Sequence, residues 1–291
     1  MRISVNENYF RGGPNGFWRG QLEAIRLLKD NGFDTVDIGM HSMEKAEDEN
    51  DHNSWINQRR EFCDKMGVTV NQAHAPFCEG RPISDLFVSR LIQCVDDCSV
   101  LGAKCLVVHG DTWFKSDYTQ WNYNEVVDTV YNVYAPVVER AEKLGVKIAF
   151  ETLFEWLGNN EHRVRLCSYV EEIDDLIAKF KTDSVGVCWD FGHAYMAYGD
   201  DQFKAMKRLR SQIIATHVHD NTRRYDNHNI PYQGYINWDE GLKTLAEIGY
   251  NGDLTFELNY GALPPTIAPD YIKYLHSVGK YMKSIYEINL V

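Results

Sequence analysis

The sequence has no excess of basic charge. Lys and Arg number 30 against 42 Asp and Glu, for a formal net charge of −12 and a pI near 5.3. Binding to nucleic acid or to an anionic membrane rests on clustered cations. The balance therefore argues against both as general partners, though it leaves room for a local basic patch. Long apolar runs are also missing: no stretch approaches the roughly 20 apolar residues of a spanning helix. The opening MRISVNENYF reads as neither a signal peptide nor a membrane span. The seven cysteines (Cys63, Cys78, Cys94, Cys98, Cys105, Cys167 and Cys188) include no C-x-x-C pair. An odd count without that spacing fits reduced thiols in the cytoplasm. Internal repeats, low-complexity tracts and Pro/Ser-rich linkers are absent too, so one domain over 1–291 is expected.

What is present is a large supply of core. Hydrophobic residues make up 44% and charged residues 25% of the 291, which suits an ordinary folded domain. Short β-like runs alternate with amphipathic helical stretches along the whole chain. The runs are Ile3–Val5, Thr35–Gly39, Val68–Gln72, Cys105–Val108, Val146–Phe150, Val185–Trp189, the stretch opening at Ile213, and Asp253–Phe256. Between and after them, helical periodicity runs from about Gln21, up to Met66, over Ile83–Leu101, up to Leu144 with a kink at Pro136, and over Tyr169–Phe180, Asp201–Leu209, Trp238–Ile248 and Pro269–Tyr286. Gly32, Gly67, Gly102, Gly145 and Gly249 supply the stops. Strand alternating with helix means a parallel sheet with helices outside.

The strand ends decide between an open sheet and a closed one. Six successive runs end on an acid or a histidine: His74, His109, Glu151, Asp190 followed by His193, His217, and Glu257. Asp226 and His228 follow His217 within one loop. In a flat sheet with strands roughly 4.8 Å apart, the ends of strands three to eight would span on the order of 24 Å, too far for one site. In a (β/α)8 TIM barrel they form a ring on the face where such barrels carry their active sites. That fold is expected here. The nine residues offer only O and N atoms, a donor set suited to Mn, Zn, Co or Mg rather than to a thiolate zinc site. His41, His52, His162 and His276 read as surface residues. His219 shares a strand face with His217 and reads as a supporting residue behind the ligands. Trp113, Phe114, Trp156 and Tyr232 either wall a pocket or pack loops onto the barrel.

The motifs QAHAPF, VVHGD, AFET, CWDFGH, THVHDN, DNH at Asp226–His228 and TFEL resemble the xylose-isomerase-like, or AP-endonuclease family 2, barrels over nearly the whole chain. That superfamily includes sugar epimerases and isomerases, inosose dehydratases and endonuclease IV. The resemblance to its ketose 3-epimerases implies one divalent ion on Glu151, Asp190, His217 and Glu257, with His193 and Arg223 binding sugar hydroxyls. That branch expects a Glu where this chain has Leu157, a departure that bears on substrate. The resemblance to endonuclease IV implies up to three zinc ions on all nine residues. On these likenesses the chain is expected to be a metal-dependent sugar or sugar-phosphate isomerase or epimerase. It would work by proton transfer through an ene-diolate stabilised by a divalent cation, with Glu151 and Glu257 as catalytic residues. The alternatives are a multi-zinc phosphoesterase, a lyase or dehydratase, and a binding protein on the same barrel. The expected partner is a small-molecule carbohydrate, and a homo-oligomer is compatible with this reading.

Overall fold

The computed structural model describes residues 1–10, 20–40, 49–77, 83–110, 122–158, 161–163, 165–258 and 263–290. In chain order the elements are β1 (Ile3–Asn6), α1 (Gln21–Asp30), β2 (Thr35–Gly39), α2 (Glu49–Met66), β3 (Thr69–His74), α3 (Asp85–Leu101), β4 (Cys105–Val108), α4 (Tyr123–Leu144) and β5 (Lys147–Glu151). They continue with β6 (Trp156–Gly158), β7 (Glu161–Arg163), α5 (Val170–Phe180), β8 (Val185–Asp190), α6 (Phe191–Tyr198), α7 (Gln202–Leu209), β9 (Ile213–His217), α8 (Trp238–Glu247), β10 (Leu254–Phe256) and α9 (Ala268–Ile288).

Eight parallel strands pair in the order β10-β1-β2-β3-β4-β5-β8-β9. A parallel bridge between Val218 and Phe256, just past the end of β9, brings the two outer strands together. The result is the expected (β/α)8 TIM barrel. Alternation along each strand sorts the side chains. Cys105, Val107, Ala149, Cys188 and Ala215 form a cluster of small side chains of their own. Leu106, Val108, Ile148 and Phe150, one position off, join the larger cluster that includes the helices. Small residues suit the narrow inside of an eight-stranded barrel. Each large side chain buried under the helices is worth about 1.5–3 kcal/mol.

Local chemistry sets the helix ends. The Ser84 side chain accepts a hydrogen bond from Phe87 N at 3.2 Å and starts α3, and Gly102 ends it in the left-handed region at φ 76°. Asp190 both ends β8 and caps α6, because its Oδ1 accepts from His193 N at 2.7 Å. No helical period marks that stretch of the sequence. Between β5 and α5, β6 and β7 form a short antiparallel hairpin. α2 begins at Glu49.

His52 corrects another expectation. It is buried, and its Nε2 lies 2.8 Å from Asp97 Oδ1, tying α2 to α3. Burial pushes the Asp97 carboxyl up from its ordinary 3.8 to about 6, against the pull of His52. A raised carboxyl costs stability once it ionises, so the pair matters most above that value. His52→Ala is expected to cost about 3 kcal/mol at pH 7 by leaving a buried charge unpaired, and clearly less at pH 5, where Asp97 is protonated. Urea unfolding at the two pH values checks this; equal losses would contradict it. His276 is half-buried and packs edge-on against Phe33 with ring centroids 5.2 Å apart. His41, Trp113, Phe114 and Cys78 lie outside the described residues, as do the side chains of Trp156, Leu157 and His162. The other six cysteines are free and buried. Among the described residues no helix is long and apolar enough to cross a membrane.

Candidate metal centre

The carboxyl ends of the strands converge as the alternation pattern requires. Glu151, Asp190, His217 and Glu257 each offer one ligand atom, and these atoms all lie within 4.8 Å of one another. Nδ1 of His217 sits 3.2 Å from Glu257 Oε2, 3.4 Å from Glu151 Oε2 and 3.7 Å from Asp190 Oδ2. The last residue of β8 pairs in register with the last of β9, which puts Asp190 beside His217.

Glu151 is the hub. Its Oε2 lies 3.1 Å from His74 Nε2 and 3.2 Å from His109 Nε2, and its Oε1 lies 3.1 Å from His193 Nδ1. His74, Glu151 and His217 form a second group with ligand spacing. A third comprises His193, His219, Asp226 and His228. In it Asp226 Oδ2 is 3.3 Å from His193 Nε2 and 3.0 Å from His228 Nε2. All nine residues named from the sequence as ligands thus meet at one mouth of the barrel.

His219 is closer to the centre than a supporting role suggests. Its Nε2 reaches Asp190 Oδ1 at 2.9 Å, and its ring stacks on His228 with centroids 3.8 Å apart. A Cβ at position 192 would stand 1.9 Å from its Cε1, so the glycine of CWDFGH makes room for this ring.

The loop that carries Asp226 and His228 is held by Asp220, fully buried. Its carboxylate accepts from the backbone N–H groups of Asn221, Tyr232 and Ile236 and from Trp238 Nε1, at 2.9 to 3.2 Å. No spacing rule in the sequence points to that role. Phe77 stacks on His109 with ring centroids 4.9 Å apart, and Phe154 lies 5.0 Å from His193, so these two aromatics flank the converged histidines. Neither was named from the sequence. Tyr232 is exposed and packs edge-on against Tyr281 of α9. Arg223 is exposed, with its guanidinium against Gly199, just past the end of α6.

The charges at this mouth demand a counter-charge. Burial alone would raise the Glu151 carboxyl, but the imidazoles of His217, His109 and His193 hold it well below the ordinary carboxylate range. Asp190 is likewise lowered against burial by His193 and His219. Burial pulls His217 and His193 down, yet both are lifted well above the ordinary imidazole value, His217 by Cys188 and then by Glu257 and Glu151, and His193 by Asp190 and Asp226. His228 is lifted to about 9 against burial, chiefly by Asp226. Even so, buried polar atoms are left over. Among the described residues, neither ring nitrogen of His217 has a hydrogen-bond partner, and neither do His219 Nδ1 and Asp226 Oδ1. Such atoms are rare in a finished interior. Three carboxylates around an unbonded imidazole nitrogen, all O and N donors, fit a divalent cation.

A family model described as xylose isomerase-like TIM barrel matches residues 25–278. The uncharacterized protein MJ1311 of Methanocaldococcus jannaschii is 28% identical over 245 residues, 80% of this chain and 78% of its own length. The uncharacterized protein y4fM of Sinorhizobium fredii is 29% identical over 170 residues, 58% of this chain. That match spans about half of the Sinorhizobium protein, 52% of its length. Among solved structures, a D-tagatose 3-epimerase-like protein superposes with a TM-score of 0.78 at 22% identity over 100% of both chains. The IOLI protein, solved with a zinc atom, superposes at 0.72 with 16% identity over 99% of both. At such identities these structures speak for the fold.

Proposed function

We propose that this chain, which belongs to the xylose isomerase-like TIM-barrel family, is a metal-dependent isomerase or epimerase of a sugar or sugar phosphate. One observation carries the proposal: Glu151, Asp190, His217 and Glu257 come from four different strand ends and bring their ligand atoms within 4.8 Å of one another. The similarity to a D-tagatose 3-epimerase-like protein supports the substrate class, and the zinc atom of the IOLI protein supports the metal.

A divalent ion on these four residues supplies Lewis-acid stabilisation of the negative charge that grows on a substrate oxygen when the neighbouring carbon loses its proton. The chain's own groups divide the remaining work. Glu151 faces four imidazoles, those of His74, His109, His193 and His217, which fix it and keep it ionised. A carboxylate so strongly held is a poor proton acceptor. Glu257 has one ion-pair contact among the described residues, to His217, and its side chain is 8% exposed. It is the better proton carrier, so the two acids expected to be catalytic have unequal roles. Glu151 holds the site and Glu257 moves the proton. His193 lies between Glu151 and Asp226, where it would orient a substrate hydroxyl. Phe77 and Phe154 would shield the reacting carbon from water.

The direct test is deuterium incorporation. Incubated in D2O with Mn, Co, Mg or Zn and a panel of ketoses and ketose phosphates, the protein is expected to exchange one carbon-bound proton next to the carbonyl. No exchange with any of them, together with cleavage of a phosphate ester, would overturn the proposal. That outcome is the second reading, a multi-zinc hydrolase. It draws support from the three contiguous ligand groups, two of which share Glu151 and His217.

Metal binding should be coupled to protons in either case. The His228 imidazole is held at about 9, above its ordinary 6.5, so it is protonated at pH 7 in the metal-free protein. A ligand histidine must be neutral. Zinc binding to the group of His193, His219, Asp226 and His228 is therefore expected to release at least one proton at pH 7, and to tighten as pH rises toward about 9. The raised His228 stabilises fully below about 6.5 and loses its effect as pH climbs through about 9. The lowered Asp226 stabilises above its ordinary 3.8 and loses its effect as pH falls. Calorimetric titration with zinc in buffers of different ionisation enthalpy reads the proton count; no release would contradict this charge assignment.

A further inference from the structure

Asp37, at the middle of β2, was not singled out by any motif, and it is fully buried in the barrel. Its Oδ2 lies 3.7 Å from Nε2 of His217, the ring nitrogen on the far side from the three carboxylates. A buried carboxylate is costly unless something pairs with it. Asp37 Oδ2 accepts from Asn6 Nδ2 at 3.1 Å and from Gln72 Nε2 at 3.4 Å, while Oδ1 has no hydrogen-bond partner among the described residues.

The direction of these bonds is fixed from below. Ser4 Oγ donates to Asn71 Oδ1 at 2.8 Å, and Asn71 Nδ2 donates to Thr255 Oγ1 at 2.9 Å. The Thr255 hydroxyl then donates to Gln72 Oε1 at 3.3 Å. With its carbonyl taken, Gln72 can turn only its amide nitrogen toward Asp37. Every neighbour in this series presents a donor to the next, and Asp37 stands at the end as an acceptor. All six residues, counting Asn6, are buried.

We propose that Asp37 is the positioning residue of the metal centre: it accepts the Nε2–H of His217 and so leaves Nδ1 as the nitrogen available to an ion. This deepens the metal reading above and rests on it. The physical reason is tautomer choice. A neutral imidazole carries its proton on one nitrogen, and the hydrogen bond made by that nitrogen decides which one is left for the metal. Nδ1 faces Glu151, Asp190 and Glu257, where a cation would sit. On the Nε2 side the facing carboxylate is Asp37. The 3.7 Å separation is longer than a hydrogen bond, and the unused Oδ1 is the atom that a turn of the carboxylate can offer.

The test compares wild type, Asp37→Asn and Thr255→Val. Dissociation constants for Zn2+ and Mn2+ are measured by competition with a chromophoric chelator, and His217 nitrogen shifts are recorded by 15N NMR on zinc-loaded protein. Asp37→Asn keeps the size of the side chain and removes its charge; it is expected to weaken Zn2+ binding about 10–100-fold. Thr255→Val frees the Gln72 carbonyl and is expected to weaken binding in the same direction by a smaller factor. In wild type, His217 should show a protonated Nε2. Wild-type affinity in Asp37→Asn, or a His217 bound through Nε2, would overturn the proposal and leave the metal reading standing. A wild type that binds neither ion would overturn both. If Asp37→Asn does not fold, the Thr255→Val affinity and the wild-type nitrogen shifts decide alone.

Discussion

Replacing Glu257 by glutamine is expected to slow proton exchange into a ketose substrate by about 10²–10⁴-fold, the usual range for losing a general acid or base. The protein should stay folded and still hold an ion, more weakly, on Glu151, Asp190 and His217. Glutamine matches the size of the side chain, and the backbone N–H of residue 257 goes to Val218 O at 3.2 Å whatever the side chain. Glu151 and Asp190 still face His217 in this variant. Glu151→Gln should behave differently. It removes the one carboxylate that four imidazoles face, so loss of the ion and of stability should accompany loss of activity. Proton NMR in D2O with elemental analysis of both variants separates the two roles. Wild-type exchange by Glu257→Gln would move the proton carrier elsewhere.

His217→Ala should be the most damaging single change to the centre. The ring is fully buried, and its Nδ1 lies within 3.7 Å of three carboxylates. Without it, Glu151, Asp190, Glu257 and Asp37 lose the imidazole they share. Removing one partner of a buried charge cluster typically costs about 3–5 kcal/mol, and that loss is expected for the metal-free protein at pH 7. Affinity for a divalent ion should fall by at least about 100-fold, since a ligand and the charge balance go together. Urea unfolding of the metal-free forms and chelator competition measure the two effects. A variant as stable as wild type that still binds the ion would show that His217 is only a packed core residue.

The sequence carried the barrel and the ring of acids and histidines because both follow from short-range pattern. Strand alternation and helical period lie within windows of ten to twenty residues, and the chemistry of a strand end is visible at the strand end. His74, His109, Glu151, Asp190, His217 and Glu257 could therefore be placed without knowing any distance. What was missed depends on partners far along the chain. His52 sits in a polar stretch and reads as surface, until Asp97 meets it from α3. Asp37 has no local signal at all; its role comes from Gln72 on β3 and His217 on β9. Asp220 looks like one charge among several, and only the fold shows four N–H groups turning toward it. The start of α6 was hidden because Asp190 does two jobs, ending a strand and capping the next helix. The three-residue strands β6 and β7 are too short for a period to register.

The measurement to make first is divalent metal per chain, by elemental mass spectrometry, on wild type and His217→Ala purified side by side without chelators. The expected result is at least one equivalent of Mn, Zn, Co or Mg in wild type and its loss from the variant. Two or three zinc ions per wild-type chain would mean that the groups around His74 and Asp226 also hold ions and would bring the hydrolase reading forward. Wild type that holds no stoichiometric metal, even after incubation with each of the four ions, would contradict the claim that these side chains form a metal centre.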